Sequence, residues 1–400
     1  MRAILKQLSA ARREKSPLAI VFLTVFIDLV GFGIILPLLP YYAESYGASA
    51  FTVGMLSTSY SLMQFVFMPI WGRLSDHYGR RPLIMLSLLG SCLGFLVFGL
   101  AGSLAALFAG RMIAGIAGAI IPTTNAYIAD VTTPENRAKG MGMVGAAFGL
   151  GFILGPAIGG LLAPYGYDKP ALLASAMAGL NLVFAYFKLP ESLTEENRKL
   201  ARTKGFTFER LSNAVGQPKV GLLMGIYFLV VLAFANMEST FGLLNEHHYG
   251  LNARQTGYLF TYIGVLMVTM QGVLVGRMVR RFGERTLIAV GTFSMISGLT
   301  LMPYAPGMPA YCAIIAVLSF GAGINNPSIN ALLSRLSRSE EQGGIMGITH
   351  SLASLGRILG PLWGGYTFDR FGREWPFLSG GILMSLAFLL TLRNTSGQKK

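Results

Sequence analysis

Twelve stretches of about 20 mostly apolar residues follow one another along this chain, separated by short polar connections. That repetition constrains the fold more than any other feature. A helix rises about 1.5 Å per residue, so about 20 residues cross a hydrocarbon core about 30 Å thick. In that medium every backbone N–H and C=O must be satisfied internally, which a helix does within its own segment. The runs fall at roughly 18–41, 53–71, 82–101, 104–129, 140–164, 170–189, 219–245, 255–276, 285–303, 308–334, 343–367 and 375–393. Charged residues are 12% of the chain, against about 25% in soluble domains. Its 50 glycines lie largely inside the apolar runs, where small side chains let helix backbones approach closely. The expected fold is an all-α membrane protein with 12 transmembrane helices.

A net charge of +14 raises the question of a nucleic-acid partner, and the placement of the charges answers it. Of 32 lysines and arginines, 26 fall in the N-terminal segment, the alternate connections and the C-terminal segment. Four, Lys169, Arg254, Arg370 and Arg373, lie in the other connections. This is the positive-inside bias, so both termini are expected in the cytoplasm and no nucleic acid is implied. No cleavable signal is read: Met1–Lys15 is basic, but the apolar run after it is too long for the core of one. Cys92 and Cys312 lie far apart in apolar runs and read as buried thiols. The longest polar stretch divides the spans six and six. The domains expected are 1–189, a cytoplasmic linker 190–218, and 219–400.

The two halves resemble each other. At an offset of 203 residues Gly47 and Gly54 meet Gly250 and Gly257. At 204, Gly72, Gly79 and Arg81 meet Gly276, Gly283 and Arg285; at 205, Pro122 and Asn125 meet Pro327 and Asn330. The same offset of 205 aligns GFILGPAIGG (151–160) with GRILGPLWGG (356–365). A parallel duplication of this kind predicts two pseudo-symmetric six-helix bundles with a site between them.

The connection GRLSDHYGRRP, Gly72–Pro82, sits between two apolar runs and carries an acid, three arginines and two glycines. A basic turn that only fixes topology accounts for part of it. Asp76, near the end of one helix and the start of the next, can also accept N–H bonds at a helix N-terminus. Arg80 and Arg81 add charge-assisted partners. The pattern Gly72-x-x-x-Asp76-x-x-Gly79-Arg80-Arg81 resembles the loop signature of the major facilitator superfamily. That resemblance implies a cytoplasmic latch in which Asp76 takes part, formed when the transporter faces outward. The second copy, GRMVRRFGER, has Arg280 where the acid would stand.

Further motifs point to the drug:proton antiporters of that superfamily. Gly151, Gly155, Pro156, Gly159 and Gly160 resemble the antiporter signature of helix 5. Their physical content is a smooth packing face with a bend at the proline. LFAGRMIAGIAGA (107–119) is similar to the helix 4 signature, with Arg111 in the arginine position and Ala114 where glutamine is usual. FIDLVGFGIILPLLP (26–40) resembles the first helix of the tetracycline-resistance branch. Tetracycline exporters carry an acid in helix 3 where this chain has Gly94, which argues against tetracycline as substrate.

Ionisable residues inside spans are expensive and mark function by default. Asp28 lies ten residues into the first run, about 15 Å deep and near the midplane. The expected proton-coupling residues are Asp28, Arg111 and Glu238, the last about 28 Å along its helix. A structural partner role for Asp28 and an interfacial one for Glu238 are the plainer alternatives. Arg357 is a candidate partner of Glu238. Gln64, Asn125, Asn325, Asn326, Asn330 and Arg357 are candidates for the substrate cavity, and inter-helix hydrogen bonding is the plainer reading of each amide. His350, a lone span histidine, reads as a packing residue. No P-loop, zinc spacing or hydrolase elbow is present, so no enzyme, metal or cofactor is expected. The leading expectation is a monomeric, proton-gradient-driven exporter of small amphipathic molecules in a prokaryotic inner membrane. Proton-coupled carriage of one metabolite, and a non-transporting receptor on the same fold, are the alternatives.

Overall fold

A computed structural model describes residues 2–193, 218–337 and 342–396. Most of the expected linker, 194–217, lies outside the described residues. The described chain is helical throughout. In order the helices are α1 (Arg2–Ile35), α2 (Leu39–Glu44), α3 (Ala50–Tyr78), α4 (Arg80–Gly99), α5 (Leu104–Gly118) and α6 (Ile121–Val131). Next come α7 (Pro134–Leu162), α8 (Asp168–Lys188), α9 (Pro218–His247), α10 (Ala253–Thr269) and α11 (Val275–Phe282). Last are α12 (Glu284–Leu301), α13 (Met308–Leu336), α14 (Gln342–Phe371) and α15 (Trp375–Ser396).

Among the described residues, 11 stretches are long and apolar enough to cross a membrane. The 30-residue α14, which bears His350 and Arg357, completes a set of twelve rods. Two expected spans are interrupted. Residues 104–129 break into α5 and α6 just before Pro122, whose ring removes a helix donor and presets the φ of a new first turn. Residues 255–276 pass through a π-helical turn, Met270–Leu274, between α10 and α11. Local signals set several ends. Ser103 Oγ accepts from Ala106 N at 3.3 Å, and Asn252 with Gln255 forms a reciprocal capping box at the start of α10.

The chain forms two compact units, Met1–Leu36 with Leu62–Gly205, and Pro37–Ser61 with Phe206–Lys400. In the first, α1 packs chiefly on α7 and α8, and α4 on α5 and α8. In the second, α9 packs chiefly on α14 and α15, and α12 on α13 and α15. Those pairings correspond helix for helix, so the duplication read from the sequence is present in the packing. Glycine explains the tightest crossings. A methyl group on Gly155 would come within 2.6 Å of Gly33 Cα, and one on Gly151 within 2.8 Å of Leu29. Gly159 lies against Ile34 in the same way, Pro156 touches the Gly33 level, and Gly160 is buried. The second unit repeats this with Gly356, Gly360 and Gly364 against α9.

Candidate functional site

The turn between α3 and α4 is made by Gly79, at φ 112°, a region that disfavours side chains. It brings Arg80 back over the end of α3. Arg80 is buried, and its guanidinium meets Asp76 at 2.5 Å, Asp130 at 3.3 Å and Ser75 Oγ at 2.7 Å. The carboxylate that caps the new helix is Glu191: Arg80 N and Arg81 N donate to it at 2.9 and 3.2 Å. The N–H groups of α4 therefore go to Glu191, while Asp76, one turn before Arg80 at the end of α3, meets the guanidinium. Arg81 donates to Tyr186 O at 2.6 Å and lies over the Tyr186 ring. Gly72 has Pro122 at ordinary contact distance. Asp130 and Glu191 went unremarked in the sequence because they stand 50 and 111 residues from Arg80.

In the second unit Gly283 makes the equivalent turn at φ 76°. The residue after it is Glu284, buried, and paired with Arg335 at 2.9 Å. Glu284 stands 204 residues after Arg80, and Arg335 stands 205 after Asp130. The ion pair is thus kept at equivalent positions with its charges exchanged.

Deep in the first unit, Asp28 on α1 accepts from Ser91 Oγ of α4 at 2.7 Å. Arg111 of α5 is buried, with its guanidinium over the ring of Phe32 at 5.9 Å, one turn along α1 from Asp28. These three residues from α1, α4 and α5 place a carboxylate, a hydroxyl and a guanidinium in one interior region. Ser91 was missed in the sequence, since a serine in a span carries no signal until helix register is known. Gly94 explains two departures from the family pattern at once. A methyl group there would meet Ala114 N at 2.7 Å and Ala114 Cβ at 3.0 Å. At the α4–α5 crossing a side chain at 94 and one longer than alanine at 114 would compete for the same space.

The span amides divide. Gln64 donates to Gly118 O at 3.0 Å and ties α3 to α5. Asn325 donates to Met295 Sδ at 3.4 Å, with its Oδ1 against Gly291. Asn125 is half-buried. Asn326 and Asn330, one turn apart on α13, each keep a buried Oδ1 without a hydrogen-bond partner among the described residues. Glu238 is half-buried on α9. Arg357 is exposed and makes no hydrogen bond or ion pair among the described residues, so it is not joined to Glu238. His350 is also exposed, which corrects its reading as a packing residue.

At the other end of α3 the second unit has its own polar cluster. Asp369 of α14 accepts from Ala50 N at 3.0 Å and Phe51 N at 2.8 Å, capping α3. Tyr41 OH is 2.7 Å from Thr256 Oγ1 and donates to Leu251 O at 3.0 Å. His247 Nε2 lies 2.8 Å from Glu44, and with Glu246 these residues bring three donor atoms within 4.8 Å of one another. These bonds hold residues 37–61 in the second unit.

A family model described as Major Facilitator Superfamily matches residues 21–274 and 223–400. Multidrug resistance protein 2 of Bacillus subtilis (strain 168) is 31% identical over 385 residues, 95% of each chain. Tetracycline resistance protein, class C, of Escherichia coli is 33% identical over 354 residues, 88% of this chain and 89% of its own. The crystal structure of the human organic anion transporter MFSD10 (TETRAN) superposes with a TM-score of 0.71 at 27% identity. That match covers 94% of this chain and 99% of the other.

Proposed function

This chain belongs to the major facilitator superfamily, an integral multi-pass membrane transporter and not an enzyme, and we propose that it exports amphipathic small molecules in exchange for protons. The observation that carries this is Asp28, a carboxylate mid-span whose hydrogen bond comes from the Ser91 hydroxyl. A neutral hydroxyl can donate to the ionised acid and can accept from the protonated one. Asp28 therefore keeps a partner in both charge states, as a proton carrier requires. Arg111, with its guanidinium over Phe32 one turn along α1 from Asp28, is the second charged side chain of that region.

The cycle follows from that group. Facing outward, Asp28 takes up a proton and substrate leaves; facing inward, the proton departs and substrate binds. Alternating access by the two duplicated bundles read at 1–189 and 219–400 carries substrate across, as in other duplicated transporters. Arg80, held by Asp76 and Asp130, latches the cytoplasmic side. Glu238 provides a second acid. The gradient supplies the driving force, so no cofactor enters. The membrane is a prokaryotic inner membrane, with both termini cytoplasmic and the monomer as the working unit.

The relatives span multidrug and tetracycline resistance proteins. Gly94 stands where tetracycline exporters carry a helix 3 acid, and a methyl group there already meets Ala114, which argues against tetracycline as the substrate. The test uses purified protein in liposomes loaded with a pH dye and held acid inside. Lipophilic cations, amphipathic acids and tetracycline are added in turn. Collapse of the gradient with amphipathic compounds but not with tetracycline is expected. A gradient that survives every compound would overturn the export reading.

A further inference from the structure

Arg357 stands near the middle of the 30-residue α14, fifteen residues from its start at Gln342 and fourteen from its end at Phe371. That is about 21 Å from either end. Its guanidinium is exposed and has no hydrogen bond or ion pair among the described residues. Unpaired charges within spans are costly, and they face the bundle interior or a watered cavity rather than lipid.

The contacts of α14 give the direction. Gly356, Gly360 and Gly364 lie against α9, a methyl at Gly360 meeting Asn236 N at 2.8 Å. Gly365 lies against Phe51, and Thr58 Oγ1 donates to Ile358 O at 2.8 Å, so that side packs on residues 50–61. Leu355, Leu359, Trp363 and Tyr366 form the exposed apolar stripe. At about 100° per residue, Arg357 falls between the α9 face and the face on residues 50–61, roughly opposite that stripe. His350, also exposed, falls on the same arc about 10 Å nearer the start of α14. Gly364, seven residues after Arg357, carries that arc into contact with α9, so the two exposed nitrogen donors lie on its stretch nearer the start of α14, away from the apolar stripe.

We propose that Arg357 is the anion-recognition group of this transporter, and that its substrates are amphipathic molecules bearing a carboxylate, sulfonate or phosphate. The planar guanidinium fork matches such groups with two parallel hydrogen bonds, where a lysine would offer a point charge. His350 lies along the route to it and supplies a further donor for an extended anion. The assignment rests on the export reading and names the class of molecule exported. An anionic lipid offers the same phosphate chemistry, but its headgroup would have to reach mid-span, so the substrate is the source assigned.

The experiment measures equilibrium binding of radiolabelled 1-naphthaleneacetate to protein in zwitterionic nanodiscs, with 1-naphthylmethylamine as the cationic isostere. Wild type should bind the carboxylate saturably. Arg357→Gln should weaken that by at least about tenfold, Arg357→Lys should fall between, and amine binding should not change. Melting temperatures serve as the folding control. Unchanged carboxylate affinity in Arg357→Gln, or no carboxylate binding by wild type, would overturn the proposal. So would native mass spectrometry finding only phosphatidylglycerol retained through Arg357, with no competition from the carboxylate. Arg357-dependent binding without gradient-driven flux would leave the anion site standing and remove the export reading. Gradient-driven flux of the amine, indifferent to Arg357→Gln, would do the reverse.

Discussion

The turn at Gly79 and the turn at Gly283 occupy equivalent places in the two halves, yet their ion pairs have opposite polarity. In the first half the buried residue after the glycine is Arg80 and its partner on the next rod is Asp130. In the second half it is Glu284 with Arg335. A tether between a turn and the end of the following rod works with either sign, since Coulomb attraction is indifferent to which partner carries which charge. What the first half adds is Asp76 on the guanidinium and Glu191 on the α4 N-terminus. The second half has Arg280 in the place of Asp76. The shared pair is therefore architecture, and the added acids are where a latch can be built.

The largest effect is expected from Arg80→Ala. It leaves Asp130 and Asp76 without their guanidinium, and the loss of one partner from a largely buried pair costs about 3–5 kcal/mol. Thermal unfolding in detergent should show it as a clear fall in melting temperature. The double variant Arg80→Glu with Asp130→Arg transplants the second half's polarity. Stability should recover toward wild type, while transport should stay well below it, because Asp76 and Glu191 would then face a glutamate. Full recovery of transport would mean that those acids have no gating role.

Asp76→Asn comes next. Its side chain is 45% exposed, so stability should change by less than about 1 kcal/mol. Transport should nonetheless fall about tenfold if the latch must form once per cycle, about 1.4 kcal/mol on the barrier; vesicle flux at matched protein density measures it. Glu284→Gln should be smallest. Arg335 is 68% exposed, so water takes over its solvation; about 1 kcal/mol or less of stability is expected, with flux near wild type. A larger loss of flux there than in Asp76→Asn would reverse the division between architecture and latch.

Much of this was legible in the sequence, for identifiable reasons. Apolar runs of span length, the 203–205-residue repeat and the Gly151–Gly160 stripe each follow from rules that need no register between helices. The exchanged pair Glu284–Arg335 was in principle visible, but it requires an offset of 204 at the turn and 205 at the rod end. Ser91 was not visible, because which side chain faces Asp28 depends on how α1 and α4 are rotated against each other. Gly94 and Ala114 were visible as two separate departures, and only the crossing of α4 and α5 makes them one contact. The placement of residues 37–61 in the second unit depends on Asp369 capping α3 from a distance of more than 300 residues.

The central claim is that Asp28 carries the coupled proton, and substrate counterflow set beside gradient-driven accumulation tests it in the same liposomes. The account predicts that Asp28→Asn still exchanges labelled for unlabelled substrate at a rate near wild type, but builds no gradient of substrate when a proton gradient is applied. Accumulation at the wild-type level in Asp28→Asn would contradict it.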